Sequence, residues 1–158
     1  TTSTSTATST MTTEKLKFKV GLAGTFWDKR PAYSIHVNGQ TLDEGAITSD
    51  SGETEFKEFE VEVSEDTTNR FEIKLLNKTP ADTIENEDKT GIVKDMLLNI
   101  VSIEIDDINL GPMLWSASKF YPEDSSRPTM DNCIDLGWNG SYSIEFSSPF
   151  YIWLLENM

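Results

Sequence analysis

The amino-acid sequence predicts an all-β chain folded as an antiparallel β-sandwich, and three observations support that fold class. Segments in which every second residue is apolar recur along the chain. Asn-Gly dipeptides, which tolerate the positive φ of a two-residue hairpin, adjoin two of these segments. No long segment has the three-to-four spacing of an amphipathic helix, and a helical turn is an alternative to a strand only in the short stretch KDMLLNIV. Half-buried strands with polar outer faces are typical of the sheets of a sandwich.

The first thirteen residues, TTSTSTATSTMTT, are predicted to form a flexible arm or linker. This segment, residues 1–13, is uncharged and of low complexity, and no core-forming residue precedes Met11, so it gains nothing by folding alone. Residues 14–158 have the size of one domain, and we expect a single β-sandwich there. Arms of this kind can become ordered on a neighbouring subunit, because the new contacts offset the lost entropy.

Seven segments are predicted to be strands. In the first, KLKFKVGL, the apolar residues lie on one side and the lysines on the other. The second, YSIHVNGQTL, repeats the alternation and turns at Asn38-Gly39. The remaining segments are FEVEV, RFEIKLL, VSIEIDDI, SYSIEF, which follows an Asn139-Gly140 turn, and the C-terminal FYIWLL.

The chain is strongly acidic, with a net charge of -14 from 27 acidic and 13 basic residues. Attraction to polyphosphate or to an anionic membrane requires clustered basic side chains, so we expect no nucleic-acid partner and no membrane partner. No apolar run approaches the length of about 18 residues that a membrane span needs, and no signal peptide is recognised at the N-terminus. Cations, neutral glycans and other proteins stay open as partners.

The residues that common catalytic arrangements need are scarce. His36 is the only histidine and Cys133 the only cysteine, which leaves little material for a Ser-His or Cys-His pair or a multi-histidine zinc site. We expect His36 on the outer face of its strand and Cys133 in the core. A glycosidase needs only two suitably spaced carboxylates, but among 27 acids that pattern has no specificity. The sequence therefore predicts a protein that is not an enzyme.

An acidic loop separates the strand-like ends of the stretch from residue 75 to residue 110. Its acids are Asp82, Glu85, Glu87, Asp88 and Asp95. Such a loop is either a cation site or a solvated connection. Its NEDKTG run is similar to part of a calcium hand, but Leu97 stands at the twelfth position from Asn86, where a calcium hand has a bidentate glutamate.

Two parts of the chain carry a resemblance to a known family. In GTFWDKRPAYSIHVNGQTL, a glycine and a loop precede the pattern P-x-aromatic-x-I-x-V-N-G-x-x-L, and later FEIKLLN is followed by a loop and KDMLLNIVSIEIDDINL. Together they span residues 16–110, which resemble the calcium-dependent xylan-binding carbohydrate-binding modules. These modules are small jelly-roll β-sandwiches, so the resemblance implies a jelly-roll-like form of the predicted sandwich.

The resemblance also implies a calcium site. Asp95 matches an acid of the family's calcium loop, and Asn77 matches the residue just before a second one, but Lys78 and Asn99 stand where the family pattern has aspartates. A lysine ammonium would repel Ca2+, which takes about six to eight oxygen ligands. Bound Ca2+ thus stays open against a solvated acidic loop, and no other cofactor is expected. The candidate metal ligands are Asp95, Asn77 and, as replacements from the longer loop, Asp88 and Asp82.

Glycan recognition requires exposed aromatic faces, on which the C-H surfaces of pyranose rings stack. Trp27 in FWDKRP and Trp138 in GWNG are the candidates, with Tyr33 as a third. The alternative for Trp27 and Trp138 is that each closes one end of the core. Trp115 and Trp153 lie in apolar strand patterns, which favours the core for both.

The whole chain is also similar, more weakly, to structural proteins of tailed marine phages. That resemblance implies a non-enzymatic decoration protein at a virion surface, or in another extracellular assembly. It would contact other subunits through the N-terminal arm and the C-terminal strand FYIWLL. The alternative function is a calcium-dependent, xylan-type glycan-binding module.

Overall fold

The computed structural model describes residues 13–65, 68–111, 118–124, 126, 128–131 and 135–157. Strands dominate these ranges, as the alternating sequence pattern predicts. The strands are β1 Thr13–Thr25, β2 Ala32–Val37, β3 Gln40–Ala46, β4 Thr54–Ser64, β5 Thr68–Leu75, β6 Ile84–Glu85, β7 Ile92–Lys94, β8 Leu97–Ile105, β9 Ile108–Asn109, β10 Ser118–Pro122, β11 Met130–Asp131, β12 Asp135–Leu136 and β13 Gly140–Ser147. The helical segments are a 3-10 turn, Pro80–Asp82, and the helix α1, Phe150–Asn157.

Two sheets form the antiparallel β-sandwich that the sequence predicts. One has the strand order β12-β8-β1-β4, with β9 beside β8, and the other has the order β11-β10-β13-β5-β2-β3. The strands β6 and β7 form a separate hairpin. Every pairing between the described strands is antiparallel.

The core lies between the two sheets and follows from the alternation in each strand. In β1, Leu16, Phe18, Val20 and Leu22 are fully buried, while the lysines between them face away from the core. Phe18 stacks across the interface on Phe71 of β5, with ring centroids 5.1 Å apart. Burial of each such side chain stabilises the fold by about 1.5–3 kcal/mol, so the two sheets are held together mainly by these inward faces.

The two Asn-Gly dipeptides have different roles. Asn38 and Gly39 both have positive φ, 51° and 84°, and join β2 to β3 as the predicted two-residue hairpin. The segment at Asn139-Gly140 is not a hairpin, because β12 pairs with β8 in one sheet and β13 belongs to the other. Gly140 is needed for close approach: a Cβ there would lie 2.5 Å from the carbonyl oxygen of Tyr121.

The C-terminal segment FYIWLL is the helix α1, so the prediction of a strand there is wrong. Its residues are apolar without a period, and such a run does not distinguish a strand from a buried helix. Tertiary contacts favour the helix: Phe150 is buried, Trp153 stacks on it with ring centroids 5.8 Å apart, and Trp153 also packs edge-on against Phe146 at 6.2 Å. The N–H of Phe150 and the hydroxyl of Ser148 donate to Glu14 Oε1, at 2.8 and 2.6 Å.

Some predictions fall outside the described residues. The predicted arm over residues 1–13 includes residues 1–12, which are outside them, whereas Thr13 begins β1. Trp115 and Cys133 are outside them as well. Within the described part of the chain, no helix is long and apolar enough to cross a membrane.

Candidate functional site

Lys78, just after β5, is a buried lysine that joins three segments of the chain. Its side chain is 1% exposed, and Nζ donates to Asp95 Oδ1 at 2.5 Å and to the carbonyl oxygen of Met96 at 2.7 Å. Its main-chain N–H donates to Asn139 Oδ1 at 2.7 Å, and Asn139 Nδ2 donates to the carbonyl oxygen of Lys78 at 3.1 Å. The end of β5, the start of β8 and the segment before β13 therefore meet at one residue, Lys78.

Asp95 is held by three donors at a single oxygen. Besides Lys78, the hydroxyl of Thr83 and the main-chain N–H of Met96 donate to Oδ1, at 2.7 and 2.8 Å. Partial burial acts to raise the pKa of the Asp95 carboxyl, but these hydrogen bonds and the Lys78 ammonium outweigh it and lower the pKa. The carboxylate is therefore charged at neutral pH and forms an ion pair with Lys78.

Trp138 borders two clefts next to this ion pair. Its half-buried ring has its centroid 5.8 Å from Lys78 Nζ, which is within cation-π range. One cleft has a volume of about 330 Å3 and the other about 270 Å3, close to the lower end of the range typical of small-molecule sites. Trp138 and Lys78 line both; the first is also lined by Thr83, Glu85, Ile92, Asp95 and Gly137, and the second by Glu123, Asp124 and Asn139. We refer to the two together as the Trp138 cleft.

A further hollow of about 360 Å3 lies beside the second cleft and shares Glu123 with it. Tyr121, which is 38% exposed, lines this hollow together with Lys74, Leu76 and Ser141. The surface thus has two aromatic side chains, Trp138 and Tyr121, in neighbouring concave regions.

The chemistry of the Trp138 cleft suits a polyhydroxylated ligand. An aromatic ring borders it, and its walls carry a hydroxyl, a carboxamide and four carboxylates. The buried ammonium of Lys78 is already paired with Asp95. The lowered pKa of Asp95 is the opposite of what a carboxylic general acid requires. His36 lines neither cleft; it is half-buried in β2, with hydrogen-bonding contacts to Ser34 at 2.7 Å and Thr41 at 3.2 Å.

Two of the residues predicted from sequence, Trp138 and Asp95, line the same cleft. Trp27 lies nearby but lines neither cleft. It is 41% exposed, its indole Nε1 donates to the carbonyl oxygen of Asp82 at 2.9 Å, and the Lys94 ammonium lies 5.0 Å from its ring centroid. Trp27 therefore contacts Asp82, and the residue that follows Asp82, Thr83, lines the cleft.

Tyr33 does not present a ring face to solvent. It is 2% exposed, and its hydroxyl donates to Asp43 Oδ2 at 2.9 Å. The alternation of β2 explains this position, because Tyr33 shares its face with Ile35 and Val37, both of which are buried in the core. A sugar ring cannot stack on Tyr33 in this arrangement.

The proposed metal ligands are not gathered around one point. Asn77 holds the start of β2: its Oδ1 accepts from the N–H of Ala32 at 2.8 Å, and its Nδ2 donates to the carbonyl oxygen of Arg30 at 2.9 Å. Asp88 is exposed in the turn between β6 and β7, where its Oδ1 accepts from the hydroxyl of Thr90 at 2.7 Å. Both side chains thus stabilise local backbone.

Asp82 also has partners of its own. Its Oδ2 accepts from the N–H of Thr79 at 2.7 Å and lies 3.0 Å from Lys29 Nζ. Burial acts to raise the pKa of the Asp82 carboxyl, but the Thr79 and Lys29 interactions prevail and lower it. Among the described residues, no group of three or more His, Cys, Asp or Glu side chains is placed to hold a metal ion.

Within the described ranges, the candidate ligands do not form a calcium shell. Of the four ligands predicted from sequence, Asp95 alone lines the cleft, and its Oδ1 already accepts from three donors. The Lys78 ammonium lies directly against that oxygen, and a second cation there would meet its charge. Lys78, which stands where the family pattern has an aspartate, therefore places a positive charge directly beside Asp95.

The sequence predictions missed most of the second cleft. Glu123, Asp124 and Asn139 come from segments that lie 45 to 61 positions beyond Lys78, and their proximity depends on how the two sheets pack. The one available signal was Asn139, whose dipeptide with Gly140 was interpreted only as a turn. Lys78 had a clearer signal, because a lysine stands there where the family pattern has an aspartate.

Comparison with known proteins identifies a similar fold. No protein-family model and no curated protein sequence matches the chain. A solved structure of vCBM60 in complex with galactobiose is 14% identical, with a TM-score of 0.48, and the match covers 81% of this chain and 96% of that one. The selenomethionine form of vCBM60 is 13% identical, with a TM-score of 0.50, and the match covers 82% and 89%. For that structure, circular permutation is described as an evolutionary link between two families of calcium-dependent carbohydrate-binding modules. The chain thus has a β-sandwich similar to that of vCBM60, which confirms the fold that the family resemblance implies.

Proposed function

We propose that the protein is a non-catalytic glycan-binding module and that the Trp138 cleft holds a sugar. The observation that carries the proposal is the position of Trp138, whose half-buried ring borders two concave regions lined by hydrogen-bonding groups. A pyranose offers C-H surfaces that pack on an aromatic face and hydroxyls that seek polar partners. The fold, which is similar to that of a carbohydrate-binding module, agrees with this function.

The charge of the cleft favours a neutral glycan. Four carboxylates line it, from Glu85, Asp95, Glu123 and Asp124, and the ammonium of Lys78 is paired with one of them. The chain as a whole has a net charge of -14. Uronate or sulfate groups would therefore be repelled, whereas sugar hydroxyls can donate to the carboxylates. Neutral polysaccharides such as xylans, galactans and glucans are the class of ligand that we expect.

Affinity electrophoresis tests this function. The wild-type chain is run through gels that contain xylan, galactan, glucan or polygalacturonate, and we expect retardation by at least one neutral polymer and none by the polyuronate. A Trp138→Ala variant should lose at least about tenfold in affinity, in keeping with the loss of a central aromatic contact. Phe56→Ala is the matched control, because Phe56 is a 54% exposed aromatic residue that does not line the cleft.

Two checks make the result decisive. Because Trp138 is half-buried, its replacement could unfold the protein, so thermal unfolding is measured for each variant. If Trp138→Ala is not folded, Trp138→Phe replaces it as a variant that keeps an aromatic face. Mobility unchanged by every polysaccharide would refute glycan binding. Equal losses in Trp138→Ala and Phe56→Ala would place the site elsewhere.

A second candidate function is docking on a protein assembly such as a virion. One observation, the exposed apolar side chains of α1, favours docking. The helix α1 carries three apolar side chains that are exposed in the isolated chain: Tyr151 at 60%, Ile152 at 42% and Leu155 at 70%. Adjacent exposed apolar side chains are typical of protein contacts. Light scattering of the wild type and of Leu155→Ser tests self-association through α1. A wild type that stays monomeric, and a variant that behaves identically, would refute self-association through this helix.

A further inference from the structure

Lys78 is a buried cation with a built set of partners. Its ammonium lies between Asp95 Oδ1, the carbonyl oxygen of Met96 and the ring of Trp138, at 2.5, 2.7 and 5.8 Å. The Lys78 side chain is 1% exposed and that of Asp95 19%. Removal of an ammonium from water is costly unless the charge is paired and hydrogen-bonded, and here it is both.

The same lysine organises both walls of the Trp138 cleft. Through Nζ it holds Asp95, which in turn accepts from the Thr83 hydroxyl on the wall of the first cleft. Through its main chain it exchanges two hydrogen bonds with Asn139 on the wall of the second cleft. A bound divalent cation would supply a similar kind of order, because it draws oxygen ligands from several segments to one point.

We propose that the Lys78 ammonium is the resident cation of the Trp138 cleft, so that the cleft binds its ligand without a divalent metal ion. This inference rests on the proposed glycan-binding function. It sets the chain apart from the modules of similar fold that are described as calcium-dependent. Two other acids of the loop already have partners of their own, since Asp82 is paired with Lys29, and Asp88 accepts from Thr90 in the hairpin turn.

Calcium titration of the full chain tests the inference without any glycan. After treatment with a chelator, the protein is titrated with CaCl2 in a calorimeter, and its unfolding temperature is measured with about 5 mM CaCl2 or with chelator. This concentration lies above the dissociation constants typical even of weak extracellular calcium modules. We expect no saturable heat and equal unfolding temperatures. Stoichiometric calcium binding, or an unfolding temperature that rises with calcium, would overturn the inference.

Glycan binding with and without calcium is the second test of the inference. Retardation by the polysaccharide that binds should be the same with chelator and with calcium, and loss of retardation in chelator would overturn the inference. Lys78→Gln keeps a donor but removes the charge, and we expect it to bind the glycan at least about tenfold more weakly in either condition. Unchanged affinity would show that the ammonium is not required. If no glycan is retained at all, the proposed function fails, and the calcium titration still decides the inference.

Discussion

Removal of the Lys78 charge should destabilise the fold as well as the cleft. In Lys78→Met the apolar stem keeps its packing, but Asp95 loses its counter-ion. Breaking a fully buried ion pair costs about 3–5 kcal/mol. Asp95 is 19% exposed and keeps two donors, from Thr83 and Met96, so we expect a smaller loss of about 2–3 kcal/mol in the free energy of unfolding.

A double-mutant cycle isolates the interaction. Asp95→Asn keeps the shape of the side chain and leaves the ammonium unpaired, so it should cost a similar amount. In the double variant neither charge is present, and its cost should fall short of the sum of the single costs by about 2 kcal/mol. Urea unfolding at pH 7, with equal slopes for all four proteins, measures these free energies.

An exposed pair is the control for this cycle. Lys15 lies 3.9 Å from Glu60, and their side chains are 63% and 66% exposed. Lys15→Met should therefore change stability by no more than about 0.5 kcal/mol. If Lys78→Met were equally harmless, or if the Lys78 and Asp95 variants were additive, the ion pair would not hold the cleft as argued.

Two further predictions concern pH and backbone packing. Burial acts to raise the pKa of the Glu55 carboxyl, but hydrogen bonds, chiefly from the Ser49 amide, outweigh it and lower the pKa from 4.5 to about 2. The stabilisation of the fold by the charged Glu55 is therefore present above pH 4.5 and is lost as the pH falls towards 2. Glu55→Gln should cost about 2–3 kcal/mol at pH 7 and little near pH 2, and a constant cost in urea unfolding at both pH values would contradict this origin. Gly140→Ala should cost at least about 1–3 kcal/mol, because the new Cβ would lie 2.5 Å from the carbonyl oxygen of Tyr121, whereas Gly45→Ala, with open space around it, is the control. Equal unfolding midpoints for the two alanine variants would show that β10 and β13 do not approach so closely.

Local patterns were sufficient for most of the sandwich. The alternation around Phe18 and Ile35 reports which side of a strand is buried, and Asn38-Gly39 specifies its own turn through positive φ. They were not sufficient for Asn139-Gly140 and for the C-terminal helix α1. In those segments the conformation depends on which sheet the chain joins next and on packing against Phe146, neither of which is encoded locally.

The candidate site was predictable only in part. Asp95 was selected through its match to the family's calcium loop, and Trp138 by residue type, because an aromatic ring offers a face for stacking. Tyr33 was selected on the same grounds and lies in the core, since residue type does not report exposure. The contact of Lys78 with Asn139, 61 residues away, arises from the packing of the two sheets and has no sequence signature.

NMR of the indole N–H groups tests most directly whether a glycan lies against Trp138 without a metal ion. The chain has four tryptophans, and Trp138→Phe identifies the resonance of Trp138. Trp153 is an internal control, because it lies in α1 and packs against Phe146 and Phe150. On titration with a retained oligosaccharide in the presence of chelator, the Trp138 resonance should shift in a saturable way while that of Trp153 stays in place. A Trp138 resonance that does not move would show that the glycan does not bind at Trp138, and one that moves only after calcium is added would show that binding requires the metal ion.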